Sequence, residues 1–206
     1  ADISFGDYLE VILHGLQLDV TVASYSIAIP VLVILASFFV RLPLRKILLP
    51  YYSVLMVIVA IIFIADFTLY EFWGFKLNSS VFMYTDRPGD ALASVSTWFV
   101  IRRVIWILLC AGVYIWLFAR ITPKKFAGKP KYKLSSLIII PVLGLCFLGI
   151  RGGVDESTAN VSDVYYSDNQ FLNHAAVNPT FNMLYTLTKS KDFSKEFQFF
   201  DEDERQ

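Results

Sequence analysis

Arg102 and Arg103 sit about five residues inside a long apolar stretch, and Asp66 lies near the end of another. At 1.5 Å per residue the arginines are roughly 8 Å deep. Ionisable groups at membrane depth are costly, so they face a partner or a cavity. The two stretches run antiparallel, which brings all three groups to similar height. One reading is a grip on an anionic lipid head group, with a guanidinium fork on the phosphate and Asp66 orienting it. Adjacent helix positions point apart, so one of the two arginines faces such a site. The other reading is an ion pair within the protein, or side chains that reach back to the interface.

The next residues with chemical potential are the two histidines, His14 and His174, with Asp7, Glu10 and Asp19 nearby in sequence. They could form a metal or proton site. No spacing fixes them together, and exposed polar residues of surface helices is the simpler reading. Cys110 and Cys146 fall inside apolar stretches and read as packing residues, not as a disulfide. No CxxC, HExxH or Gly-rich phosphate loop occurs. Asn78-Ser-Ser80 and Asn160-Val-Ser162 are glycosylation sequons by pattern only. There is no nucleophile beside a base, no paired-carboxylate site and no ligand set. The chain by itself does not read as catalytic.

The elements that would position these residues are apolar. The chain is 56% hydrophobic and 16% aromatic, with a mean hydropathy of +0.55. That is too apolar for an ordinary soluble domain. Four stretches, about 20–40, 47–69, 97–119 and 134–150, meet or approach the roughly 20 residues that cross a bilayer. The expected fold class is an all-α integral membrane protein with four transmembrane helices, interfacial amphipathic helices and a short extracytoplasmic tail. The transmembrane domain spans 1–151, and 152–206 forms juxtamembrane helices and a linker.

Net charge is zero, but the charges are segregated. Half of the eighteen Lys and Arg lie in residues 41–46 and 120–133, which hold no acid. Positive loops stay in the cytoplasm. Both basic loops are alternate connections, so one orientation satisfies both. The chain start, the 70–96 loop and the tail are then outside, in a multi-pass protein of the cytoplasmic (inner) membrane. The Lys124 to Lys133 run could bind anionic lipid, but setting topology explains it. Nucleic-acid binding has no support.

Residues 4–18 carry Phe5, Tyr8, Leu9, Ile12, Leu13 and Leu16 at helical spacing. They predict an amphipathic helix along the outer surface, with Asp19 at the turn into the bilayer. Pro30 should kink the first span, its freed carbonyl met by a neighbouring helix. Pro50 should fall in the first turn of the second span. Asn78-Ser-Ser80 and Asp86-Arg-Pro-Gly89 signal turns, and residues 90–96 could begin a short helix. Gly152-Gly153 should end the fourth helix. In the tail, 161–166 has a strand-like pattern. Ser167 or Asp168 can cap a helix over 169–178, which Pro179 interrupts before another over 180–190. The acidic run from Asp201 to Glu204 reads as a solvated connector.

The order of several segments carries a resemblance. Leu148-Gly-Ile-Arg-Gly-Gly153, Val161-Ser-Asp-Val-Tyr-Tyr-Ser167, Asn169-Gln-Phe-Leu-Asn-His-Ala-Ala-Val-Asn-Pro179 and Phe181-Asn-Met-Leu-Tyr185 resemble the stretch before the catalytic domain of lipoteichoic-acid-synthase-like proteins. Phe5-Gly-Asp-Tyr8, His14-Gly-Leu-Gln-Leu-Asp19, Ser80-Val-Phe-Met-Tyr84 and Pro88-Gly-Asp-Ala-Leu-Ala-Ser94 are similar to the same family. The resemblance covers nearly the whole chain and belongs to the sulfatase and alkaline phosphatase superfamily.

It implies five membrane helices and a large extracytoplasmic catalytic domain with a Thr or Ser nucleophile and a divalent metal, typically manganese. Such a domain transfers phosphoglycerol or a similar head group, or hydrolyses a sulfate or phosphate ester. The chain is then expected to be a piece lacking the first helix and that domain, and no catalytic or metal-binding residue is carried over. Its expected partners are membrane lipids and its own catalytic domain. Its expected work is anchoring and substrate positioning. The rival is a small non-catalytic membrane subunit or transporter component, which a polar pathway through the spans would favour.

Overall fold

The structure is a computed structural model that describes residues 3–84, 95–124 and 137–196, with side chains described to residue 82 in the first segment and 189 in the last. Helix α1 runs from Phe5 to Ser37 and opens on a capping box. Ser4 Oγ accepts from the Asp7 N–H, and the Asp7 carboxylate accepts from the Ser4 N–H at 2.6 Å. The expected surface helix and the expected first span are therefore one continuous 33-residue helix, about 50 Å long. Asp19, read as a turn, lies within it. Gly15, about one turn before Asp19, stays helical, and the tail supplies the Asp19 carboxylate with a donor, so the backbone has no reason to leave the helical path.

Pro30 sits inside α1 and removes the N–H that would have bonded the Ser26 carbonyl. The hydroxyl of Tyr51, on the next helix, donates to that carbonyl at 2.9 Å. This is the cross-helix repair expected at Pro30.

Helix α2, Leu44–Trp73, starts earlier and ends later than its hydropathy suggested. Pro50 consequently falls in the second turn, not the first. The helix ends at Gly74 in the left-handed conformation, with φ 67°. Lys76 and Leu77 follow, then a 3₁₀ turn, Ser79–Tyr84. Helix α3, Thr97–Ile121, is capped by Ser96, whose Oγ accepts from the Phe99 N–H at 3.2 Å. Arg45 of α2 donates to the Ala119 and Thr122 carbonyls at the other end of α3. A guanidinium there also complements the helix dipole.

Helices α1, α2 and α3 are each long and apolar enough to cross a membrane, and the chain is a membrane protein by that measure. Helix α4, Ile139–Arg151, has 13 described residues, about 20 Å, and is shorter than a span. Residues 134–136, the rest of the expected fourth stretch, lie outside the described residues. So do the turn at 86–89, residues 90–94 of the expected short helix, the basic run beyond Lys124 and the segment from Phe197.

Helix α2 packs mainly on α3, and α1 mainly on α4. The first pair is joined by a stack of Tyr52 on Phe118 at 4.3 Å and an edge contact of Phe72 with Phe99. The second pair meets at Gly149, where a β-carbon would come within 2.0 Å of Ser24 Oγ. Cys110 and Cys146 are free thiols.

The tail begins at Gly152 and Gly153, both with positive φ. The strand-like 161–166 segment forms a 3₁₀ turn instead, Val161–Val164, set by an Asn160–Asp163 capping box. An isolated strand has no sheet to join, and no strand occurs among the described residues. Helix α5, Gln170–Ala176, is capped by Asn169, one or two positions after the expected caps. Helix α6, Pro179–Glu196, starts with Pro in the first turn. Leu18 of α1 packs into a core with Val164, Ala176, Val177 and Phe181. The tail thus folds onto α1 and α2 instead of standing free.

Candidate functional site

The polar groups converge where the tail meets α1 and α2. Helix α2 carries Asp66 about two turns before its end at Trp73, 6% exposed. The Gly74 turn sends the chain back, so that the Lys76 ammonium donates to Asp66 Oδ2 at 2.5 Å and the Leu77 N–H donates to Oδ1 at 2.8 Å. Leu77 is 2% exposed, and its carbonyl accepts from the Asn182 side chain at 2.8 Å. The Ser79 N–H donates to Thr186 Oγ1 at 2.9 Å. Asp66, the returning loop and α6 are therefore bonded in series.

A second series ties α5 and α6. Asn173 accepts from the Tyr166 and Ser167 N–H groups and donates to the Ser167 carbonyl at 2.6 Å. Asn178 caps α6 by accepting from the Thr180 and Phe181 N–H groups, and donates to Asp19 Oδ1 at 2.6 Å. One short amide thus ends the 177–179 turn and clamps it to α1. At Gly15, a β-carbon would lie 2.8 Å from the Ala176 carbonyl oxygen, so only glycine permits this backbone contact.

His174 is buried between α5 and α2. Its Nδ1 is 3.0 Å from the Tyr70 hydroxyl and its Nε2 is 3.4 Å from the Gln170 amide. Burial lowers its pKa, the Lys76 charge lowers it further, and Asp66 partly opposes both. The ring is neutral in the folded protein at pH 7. His14 lies elsewhere, stacked on Tyr166 with ring centroids 4.3 Å apart. Burial and then the carboxylates of Glu10 and Asp7 push the Tyr166 hydroxyl up. The two histidines do not share a site. Among the described residues no three His, Cys, Asp or Glu side chains converge as metal ligands would.

Among the described residues, the three residues of the expected head-group site are not bonded to one another. Asp66 is held by Lys76 and Leu77, not by either arginine. The expectation rested on equal height, but Lys76 folds back onto Asp66 and meets it first. Arg102 is exposed. Arg103 is half-buried, its guanidinium 4.8 Å from the Phe99 ring and 5.9 Å from the Phe67 ring. Its Nε is buried with no acceptor.

The residues that do the joining, Lys76, Tyr70, Asn173, Asn178 and Asn182, were not singled out by sequence. A signal existed for one of them. Asn178 directly precedes Pro179, and an Asn before a helix-starting Pro is an N-cap pattern. Apart from the buried Tyr166 hydroxyl and Thr180 Oγ1, which have no partner, this cluster bonds to itself. Such an arrangement fixes position and leaves no exposed reactive pair. Comparison of the chain with protein-family models, with curated proteins and with solved structures found no match.

Proposed function

We propose that this chain is the membrane-embedded part of a lipoteichoic-acid-synthase-like protein, anchoring and positioning a sulfatase-superfamily catalytic domain. That domain would be a phosphoglycerol-type transferase or a sulfatase-like hydrolase at the extracytoplasmic face. The observation that carries the reading is the docked tail. Asn178 on Asp19 ties the start of α6 to α1, and Asn182 on Leu77 ties it to the loop that follows α2, which makes that start a fixed base. The ordered segments quoted above supply the family resemblance. The manganese such a domain would use has no ligand set among the described residues, and no chemical step is assigned to them. Arg103 supports a lipid role. A half-buried guanidinium with an unpaired Nε beside two aromatic rings suits an anionic head group.

The test is the size and activity of the native product. An antibody against the 160–178 peptide, applied to native membranes, should detect a species far above 23.5 kDa. Proteolysis beyond α6 should release a soluble manganese-dependent phosphodiesterase or sulfatase from it. A 23.5 kDa product with no such activity overturns the reading. An impermeant label should modify a cysteine at Asp168, an exposed position beside the buried Asn173, but not one at Ala127 in intact cells. The opposite pattern removes the extracytoplasmic placement.

A further inference from the structure

A cavity of about 670 Å³ lies between α1 and α2, partly open to the side. Its walls are Val22 and Tyr25 from α1, Leu55 and Val59 from α2, and Phe147 and Ile150 from α4, with α6 closing one side. The volume falls within the range of about 300–1,000 Å³ usual for ligand sites. Among the polar residues of the lining, Thr180 and Arg151 have hydrogen-bonding capacity left unmet. Thr180, 7% exposed, lines the cavity, and its buried Oγ1 has no hydrogen-bond partner. A buried hydroxyl left unmet is destabilising, so an occupant that bonds it is favoured.

The second residue is Arg151, at the end of α4. Its Nε and Nη2 donate to the Asp155 and Glu156 carbonyls, which fixes the guanidinium in place. No carboxylate pairs with it among the described residues. Its two Nη1 hydrogens remain to be accepted.

We propose that this cleft binds one anionic phospholipid, with an acyl chain between α1 and α2, an ester carbonyl on Thr180 and the phosphate on Arg151. The apolar walls belong to helices long enough to cross a bilayer, which favours a chain over a soluble anion. The fixed, uncompensated cation favours an anionic head group over a neutral one. Arg103 lies on α3 and is not part of this cleft. The inference does not depend on the transferase reading.

The full chain would be placed in phosphatidylcholine nanodiscs containing phosphatidylglycerol with a photoactivatable diazirine on one acyl chain. Cross-links should map to Leu55, Val59 and Phe147. Native mass spectrometry should show one retained phosphatidylglycerol. Arg151→Gln should weaken its retention about fivefold relative to phosphatidylcholine, the scale of one basic group near an anionic surface. Arg151→Lys should restore most of it. Val59→Trp should fill the cleft and abolish the cross-links.

Cross-links confined to the exposed face of α3, or equal lipid preference in Arg151→Gln and wild type, would overturn the proposal. Displacement of the label by soluble glycerol phosphate would also overturn it, since it would show an anion site without a chain. If Arg151→Gln fails to fold, the wild-type cross-link map decides the matter alone.

Discussion

Helix α3 and the tail segment 172–183 treat their apolar residues in opposite ways. Along α3 only Ala111 is buried, while Trp98, Leu108 and Trp116 stand largely exposed. From Leu172 to Met183 every residue but Ala175 is buried, including four with amide or imidazole side chains. The less hydrophobic segment is the better packed one. Lipid is as apolar as leucine, so a span gains little by turning its apolar face toward protein. A segment in water gains by burial, and must then bond each polar group it takes inside. Burial in this molecule therefore does not follow hydropathy.

The sharpest way to break this contrast is Asp66→Ala. It would leave the Lys76 ammonium buried without its anion, a change that costs about 3–5 kcal/mol for a buried pair. Hydrogen exchange in nanodiscs should accelerate across 172–183 and stay unchanged along α3. Equal loosening of both would show that the two regions are one cooperative unit. Asn178→Ala comes next, at about 2 kcal/mol, since it removes both a helix cap and the Asp19 tether. Its effect should appear at the α6 start first, read by the same exchange experiment.

A smaller effect should follow pH. Burial and the Lys76 charge hold His174 below 6.5, so the folded ring stays neutral where the unfolded ring takes a proton. The contribution is fully present above pH 6.5 and is lost as pH falls through the folded pKa. The surrounding Tyr70, Tyr165, Asp66 and Lys76 complete the set of groups facing it. Tail exchange should therefore speed up on acidification, and His174→Gln should flatten that dependence. The smallest effect belongs to the membrane side. Tyr51→Phe should cost about 0.6 kcal/mol, the average for a hydrogen bond between membrane helices, measured by unfolding in mixed micelles. A cost several times larger would mean that the spans depend on polar bonds as much as the tail does.

Three of the four expected spans were legible because hydropathy reports long apolar helices whatever they touch. Pro30 and Gly152-Gly153 were legible because each restricts its own backbone. What escaped depends on meetings between distant residues. Asp19 reads as an interface residue until Asn178 arrives from 159 positions away. Asp66 reads as level with Arg102 and Arg103 because helix rise gives height, while the reversal at Gly74 that delivers Lys76 has no counterpart in spacing. The strand-like pattern at 161–166 was a local preference with no partner strand to realise it. The tail asparagines look like ordinary turn formers, and only the folded chain shows what each amide holds.

The Asn178–Asp19 bond also sets a timetable for biosynthesis. Its two ends are 159 residues apart, and ribosomes add about 5–20 residues per second, so roughly ten to thirty seconds separate their emergence. Throughout that interval Asp19 lacks the donor it has in the finished protein, Asp66 lacks the clamp that α6 places on its loop, and Leu18 has no tail to cover it. The membrane helices are thus committed long before the junction can close. Closure waits for residue 178, and a chain that stalls or is cut before it leaves Asp19 without its amide donor and Leu18 without the Phe181 that helps to cover it.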